Sequence, residues 1–244
     1  MNIRRIAPVL VSLGSLIAGS GAPIQAQVKD TVIEGQVKIG VHKIKFDANT
    51  PYHLEVKSKN FFPSLILPNT FLPNRADFKE RNVFRSLYMP SKSSEQTLIV
   101  LPNVYGSAIP EGVLDYTLTV KALMLDETPV LKKEDKISED DPRYAASFYK
   151  TRHRAYPIKL TKGKTYIIDM ARAGADNKLD PFLYVENPMK QVIAQDDESG
   201  GYPNARILLR AAADGEYRLI ASGQSDQNGL GAFTLTVRTL KDEK

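Results

Sequence analysis

Apolar residues recur at every second position in short runs along the C-terminal half of the chain. Tyr156, Ile158 and Leu160 alternate with polar or small residues, and Tyr166, Ile168 and Met170 do the same beyond Thr161-Lys162-Gly163-Lys164. Alternation on both sides of a glycine-bearing turn predicts a β-hairpin. Further strands are predicted over 182–186, 192–195, 205–211, 217–221 and 232–239, with turns at Asn187-Pro188, Asp196 to Gly201, Asp214-Gly215 and Asn228-Gly229. Short strands at regular spacing, with almost no helical periodicity, predict an all-β sandwich or barrel.

The N-terminal half repeats this order. His42 to Phe46, a turn at Asn49-Thr50-Pro51, and Tyr52 to Val56 match Tyr156 to Leu160, its glycine turn, and Tyr166 to Met170. Phe61 to Leu67 aligns with Leu179 to Val185, Asn82-Val83-Phe84 with Asn204-Ala205-Arg206, and Asp115 to Val120 with Ala232 to Val237. Shared element order and shared Pro and Asn punctuation predict two copies of one unit. The expected architecture is therefore all-β, with two tandem antiparallel, jelly-roll-like β-sandwich domains at about 28–122 and 130–241. Between them, residues 123–142 carry dense charge of both signs, including Lys132-Lys133-Glu134-Asp135-Lys136. That composition reads as a solvated linker, whose later part overlaps the second domain as a candidate edge element. Arg143 to Lys150, with Tyr144, Phe148 and Tyr149, is open between an edge strand and a short helix closing the second sandwich.

Residues 1–26 change the picture of compartment. Arg4 and Arg5 precede an apolar stretch from Ile6 to Ala18, followed by small residues ending Ile24-Gln25-Ala26. This is the pattern of a cleaved secretory signal peptide, too short and too rich in Gly, Ser and Pro for a membrane anchor. The protein is expected to be periplasmic or secreted by the general route, with no membrane span after cleavage. Lys and Arg total 33 against 28 Asp and Glu. Cleavage removes two arginines and no acid, leaving 31 basic groups and a net charge of +3, which gives no reason to expect a nucleic-acid partner. With no cysteine in 244 residues, disulfides, thiol catalysis and Cys-ligated zinc are excluded.

The second copy resembles a pre-peptidase C-terminal domain, the small β-sandwich often appended to secreted bacterial proteases. The residues carrying the likeness are Tyr156 to Leu160, Gly163 to Tyr166, Leu179 to Leu183, Asp196-Asp197, Asp214 to Arg218 and Gly231 to Val237. In the first copy the order survives but the acidic marks do not: Phe62 stands where Asp180 stands. The resemblance implies an accessory, non-catalytic sandwich that binds something or assists a host enzyme, and neither half has room for such an enzyme.

Candidate chemistry gathers in one loop. Asp180, Asp196 and Asp197, with Glu198 and the turn Ser199-Gly200-Gly201, are a candidate calcium site, because Ca²⁺ takes six to eight oxygen ligands from carboxylates and turn carbonyls. Paired strands at 182–186 and 192–195 would bring Asp180 and Asp196 to one end of the sandwich. The competing reading makes these residues turn formers. Asp176 is a further, less supported ligand. His42, His53 and His153 are too few and wrongly spaced for a transition-metal site, although His42 and His53 fall on strands predicted to pair. Tyr184 and Tyr202 flank the acidic loop as a candidate platform for carbohydrate or peptide. No G-x-S-x-G elbow or paired catalytic carboxylates are present. The expected function is an exported, non-catalytic module for an extracytoplasmic protein or carbohydrate, with Ca²⁺ as the one candidate cofactor. The alternatives are an envelope structural protein and a cryptic secreted hydrolase.

Overall fold

The computed structural model describes residues 31–37 as backbone, together with 40–70, 72, 80–102, 114–147, 150–225, 227 and 229–241. The predicted leader and its cleavage point lie outside the described residues, as do Phe148, Tyr149 and Asn228. Among the described residues the molecule is all-β, with no helix.

The first half contributes β1 (Thr31–Val37), β2 (Gly40–Phe46), β3 (Tyr52–Ser58), β4 (Pro63–Ile66), β5 (Val83–Tyr88), β6 (Ser94–Pro102) and β7 (Leu114–Ala122). The second contributes β8 (Leu131–Ile137), β9 (His153–Leu160), β10 (Thr165–Arg172), β11 (Pro181–Glu186), β12 (Val192–Asp196), β13 (Ala205–Arg210), β14 (Gly215–Gly223) and β15 (Gly231–Thr239). In the first sandwich the sheet β1-β7-β3-β5 faces β2-β6-β4; in the second β8-β15-β10-β13 faces β9-β14-β11-β12. Reading β1 as β8, β2 as β9 and so on, the two orders coincide. The exception is β12, which has no counterpart among the described residues.

Small details repeat with the topology. Tyr52 Oη accepts a hydrogen bond from Asp47 N at 2.9 Å, and Tyr166 Oη accepts one from Thr161 N at 3.0 Å. The same turn needs a left-handed residue, supplied once by Asn49 (φ 55°) and once by Gly163 (φ 79°), two residue types that tolerate that region. Their amides donate to Pro90 O at 2.7 Å and Ala211 O at 2.8 Å. Each sandwich has its own apolar core between its two sheets, one around Phe46, Leu54, Leu98 and Leu118, the other around Ile168, Leu183, Leu219 and Phe233. Full burial of each such side chain contributes roughly 1.5–3 kcal/mol before entropy is counted.

The structure corrects several sequence expectations. The strands flanking Gly163 do not form a hairpin, because β9 and β10 lie in opposite sheets. The turn crosses from one layer to the other, and its residues alternate because both strands put one face into the same core. For the same reason β2 and β3 are unpaired, so His42 and His53 are not cross-strand neighbours. The charged segment between the copies is a linker only in part: its later portion is the expected edge element, β8, paired along β15. Its alternating charges lie in solvent while Ile137 enters the core. The described residues of Arg143 to Lys150 form neither strand nor helix: Arg143 and Arg152 form an isolated bridge, and Tyr144 N donates to Thr151 O at 2.8 Å. The alignment of β5 with β13 slips by one, since Val56 faces Phe84 while its equivalent Met170 faces Ala205. Phe84 and Ala205 are both buried, and a one-residue slip would have sent one of them to solvent.

At the start of β15, Gly231 (φ 147°) lies where an added Cβ would overlap Asn177 Oδ1. Asn177 pins the loop before β11: Nδ2 donates to Ala173 O at 2.7 Å and to Ala232 O, and Oδ1 accepts from Leu179 N at 3.0 Å. Gly231→Ala is expected to cost about 2–3 kcal/mol through strain and overlap. Gly174→Ala, also at positive φ (86°) but with open space around it, should cost about 1 kcal/mol. Urea unfolding of the two variants checks the difference.

Candidate functional site

β11 and β12 pair antiparallel with Leu183 opposite Asp196. The register brings the start of β11 and the turn after β12 to one end of the second sandwich, where the three aspartates differ in their surroundings. Asp196 is a turn clamp. Its Oδ2 accepts from Ser199 N at 2.9 Å and from Arg206 N at 2.8 Å, while Oδ1 accepts from Ser199 Oγ at 2.5 Å. One carboxylate thus closes the turn and ties the end of β12 to the start of β13 in the opposite sheet. Asp197 Oδ2 accepts from Gln224 Nε2 at 3.2 Å, and the amide of Gln224 donates to Asp180 O at 2.9 Å. The Asp180 carboxylate accepts no hydrogen bond among the described residues. Burial, and then the neighbouring Asp197 charge, raise its pKa above the ordinary carboxylate value, against a smaller opposing effect of Arg172.

The loop therefore holds two repelling carboxylates, Asp180 and Asp197, with the third already committed to turn geometry. No group of three or more His, Asp or Glu is placed to hold a metal ion among the described residues. Asp176 is exposed on the loop before β11. The three histidines are apart. His42 Nε2 lies 2.8 Å from Tyr116 Oη in the first sandwich, and His153 Nδ1 lies 2.9 Å from Pro142 O in the second. His53 lies on β3 beside the second sandwich.

The two flanking tyrosines divide. Tyr202 is 77% exposed, but Tyr184 is only 5% exposed and forms no platform. It is covered by Tyr144, whose ring centroid lies 5.0 Å away. Tyr144 Oη donates to Glu186 Oε1 at 2.7 Å, and Glu186 Oε2 pairs with Arg218 Nη1 at 2.9 Å. Beneath the same loop, Ser147, Thr151 and Ser222 share hydroxyl hydrogen bonds of 3.3 and 2.7 Å, and Ser222 Oγ donates to Arg152 O at 2.8 Å. Sequence reasoning missed this cluster. The available signal was the run Phe182-Leu183-Tyr184-Val185, apolar on both faces and therefore covered on both.

The sandwiches meet along the outer face of the sheet holding β3 and β5. Arg206 Nη2 donates to Asn49 Oδ1 at 3.0 Å, while Arg206 Nε bonds Asp169 Oδ1 at 2.6 Å. A cleft of about 430 Å³ runs between Met89, Pro90 and Ser91 on one side and Glu198, Ser199 and Arg206 on the other.

No family model and no curated protein matches the chain. Among solved structures, a protein described under "The Triple Jelly Roll Fold and Turret Assembly in an Archaeal Virus" is 11% identical, with a TM-score of 0.31. The match covers 89% of this chain, which spans about 60% of that one. The plant receptor-like kinases ANX1 and FER are each 7% identical, with TM-scores of 0.28 and 0.26. They are matched over 86% and 91% of this chain and 84% and 90% of theirs, respectively.

A carboxyl group whose folded-state pKa is raised stabilises the fold below its unfolded value, and that contribution is lost as pH rises through the folded value. Ionised Asp180 therefore opposes folding at neutral pH when no cation is bound. Asp180→Asn should raise the melting temperature at neutral pH in chelator. The gain should disappear below about pH 4, where the carboxyl is protonated in both states. Thermal melts at the two pH values check the sign.

Proposed function

We propose that the protein is an exported, non-catalytic binding module whose second sandwich carries a calcium-responsive loop end. Its partner is an extracytoplasmic protein or carbohydrate. The observation that supports this reading is the juxtaposition of Asp180 and Asp197, two like charges in a partly desolvated place. An oxygen-seeking divalent cation relieves that repulsion, and water and carbonyl oxygens can complete its shell. Tyr202 stands exposed in the same loop, an amphipathic ring of the type that contacts ligands. The likeness of the second copy to pre-peptidase C-terminal domains supports an accessory role. The buried hydroxyls of Ser147, Thr151 and Ser222 bond to one another and to a carbonyl, an arrangement that braces a loop and does not activate a nucleophile.

Thermal unfolding of the mature chain from Gln27, with calcium and then with chelator, tests the proposal. A ligand that binds only the native state stabilises it by about 2.7 kcal/mol at a hundredfold excess over Kd. The expected result is a calcium-dependent rise in melting temperature that Asp180→Asn and Asp197→Asn each remove. Superimposable curves would leave the acidic loop as turn chemistry alone.

A further inference from the structure

The two sandwiches cover one row of side chains to different extents. On the outer face of the second, Ala155 (β9), Ile220 (β14) and Tyr184 (β11) lie side by side across three strands. In the first, Val41 (β2), Ile99 (β6) and Ile66 (β4) occupy the equivalent places, with the same register. Ile220 is fully buried and Tyr184 nearly so, with Ala155 exposed at the β9 end of the row, whereas Val41 is 62% and Ile66 44% exposed and Ile99 is half-buried.

The difference lies in one connection. Between β8 and β9 the chain runs from Ser138 to Arg152, and it folds Tyr144 down over Tyr184 and Ile220. Between β1 and β2 only residues 38 and 39 intervene, too few to reach back across a sheet face. Yet the strands of the first copy are written for cover. Leu98-Ile99-Val100-Leu101 is apolar on both faces, as strands buried on both sides are. Leu98 and Val100 fill the core, leaving Ile99 and Leu101 on the outer face beside Ile66.

From this we infer that the outer face of the sheet β2-β6-β4 docks an aromatic side chain carried, next to an acidic residue, on an extended segment of a partner protein. The aromatic part rests on the internal template, since an aromatic ring is what covers the same row in the second copy. The acidic part rests on an inversion beside the row. In the second copy the neighbouring positions are Pro157, Arg218 and Glu186, and Glu186 accepts a hydrogen bond from the Tyr144 hydroxyl. In the first copy they are Lys43, Thr97 and Pro68, which offer donors and no carboxylate. Lys43 Nζ lies 3.9 Å from Glu95 Oε1, so with Lys45 also exposed along β2 this edge keeps one lysine in excess over its acid, which favours an acceptor carboxylate brought by the partner. The row is narrow beside the roughly 1,200–2,000 Å² of a stable protein interface, which fits a short segment better than a second globular surface. This site lies in the first sandwich, remote in sequence from the acidic loop, and goes beyond the function proposed above.

The test is selection of random short peptides displayed on phage against the mature chain, followed by fluorescence anisotropy of the enriched sequences. The expected enrichment pairs Phe, Tyr or Trp with a neighbouring Asp or Glu. Binding should weaken by about tenfold or more in Val41→Lys/Ile66→Lys, whose changes sit at exposed positions, and should be unchanged in Asp180→Asn. A circular-dichroism melt of the double variant confirms that it folds. Equal binding to wild type and the double variant, or no such enrichment, overturns the inference. If sedimentation velocity shows wild-type dimers that the double variant abolishes, the occupant is a second copy of the chain and the inference is likewise overturned.

Discussion

A β-strand has two faces, and in a sandwich only one of them enters the core. In this molecule that constraint is met twice by one strand order, so each half must dispose of the same outer rows. The inner rows are alike in the two copies: Leu54 opposite Val120 and Ile168 opposite Val237 fill matching places. The outer rows diverge. Three of the four sheets have an outer face that another part of the chain engages: the β3–β5 side of the first sandwich and the β10–β13 side of the second, which meet each other, and the β14–β11 side of the second, which its own loop covers. Among the described residues nothing engages the outer face of β2-β6-β4 in this way, and Val41 and Ile66 are exposed there.

The loop from Ser138 to Arg152 shows what covering a face requires. An aromatic ring alone brings a hydroxyl with it, and a buried hydroxyl needs a partner. Glu186 supplies that partner, and a buried carboxylate in turn needs a cation, which Arg218 provides. Burial and this hydrogen bond push the Tyr144 hydroxyl well above its ordinary pKa, so it remains a donor across the physiological range. At the loop's entrance Asp141 is treated in the same way. Its carboxylate accepts from Ser138 N at 2.8 Å and pairs with Arg154 at 2.8 Å, and it is held below the usual carboxylate range despite burial. Cover in the second copy thus depends on a set of polar residues that the first copy lacks.

How much of this was legible in the sequence follows from what alternation reports. Period two tells which side chains share a face, so the strands of the second copy and the repeat itself could be read directly. It does not tell which strand lies alongside, so the segments around Gly163 read as a hairpin although they belong to opposite sheets. Strands with two apolar faces carry no alternation, and β6 was missed because Leu98 to Leu101 is a continuous run. At β8 the dense charge fitted a linker as well as the edge element that is there, because an edge strand can place lysines and glutamates in solvent and still pair along its full length. The acidic loop was visible as composition. Composition does not show that Asp196 is consumed by Ser199 and Arg206 while Asp180 and Asp197 repel each other.

The central claim is that the β14–β11 part of the row is covered in the second copy while its equivalent in the first is open at Ile66, and isoleucine occurs in both. Hydroxyl-radical footprinting of the mature chain, read residue by residue by mass spectrometry, compares Ile66 with Ile220 without any correction for side-chain chemistry. The account predicts rapid modification of Ile66 and Val41 and near-complete protection of Ile220. Protection of Ile66 to the level of Ile220 would show that the first face is already covered in the protein alone, and would contradict it.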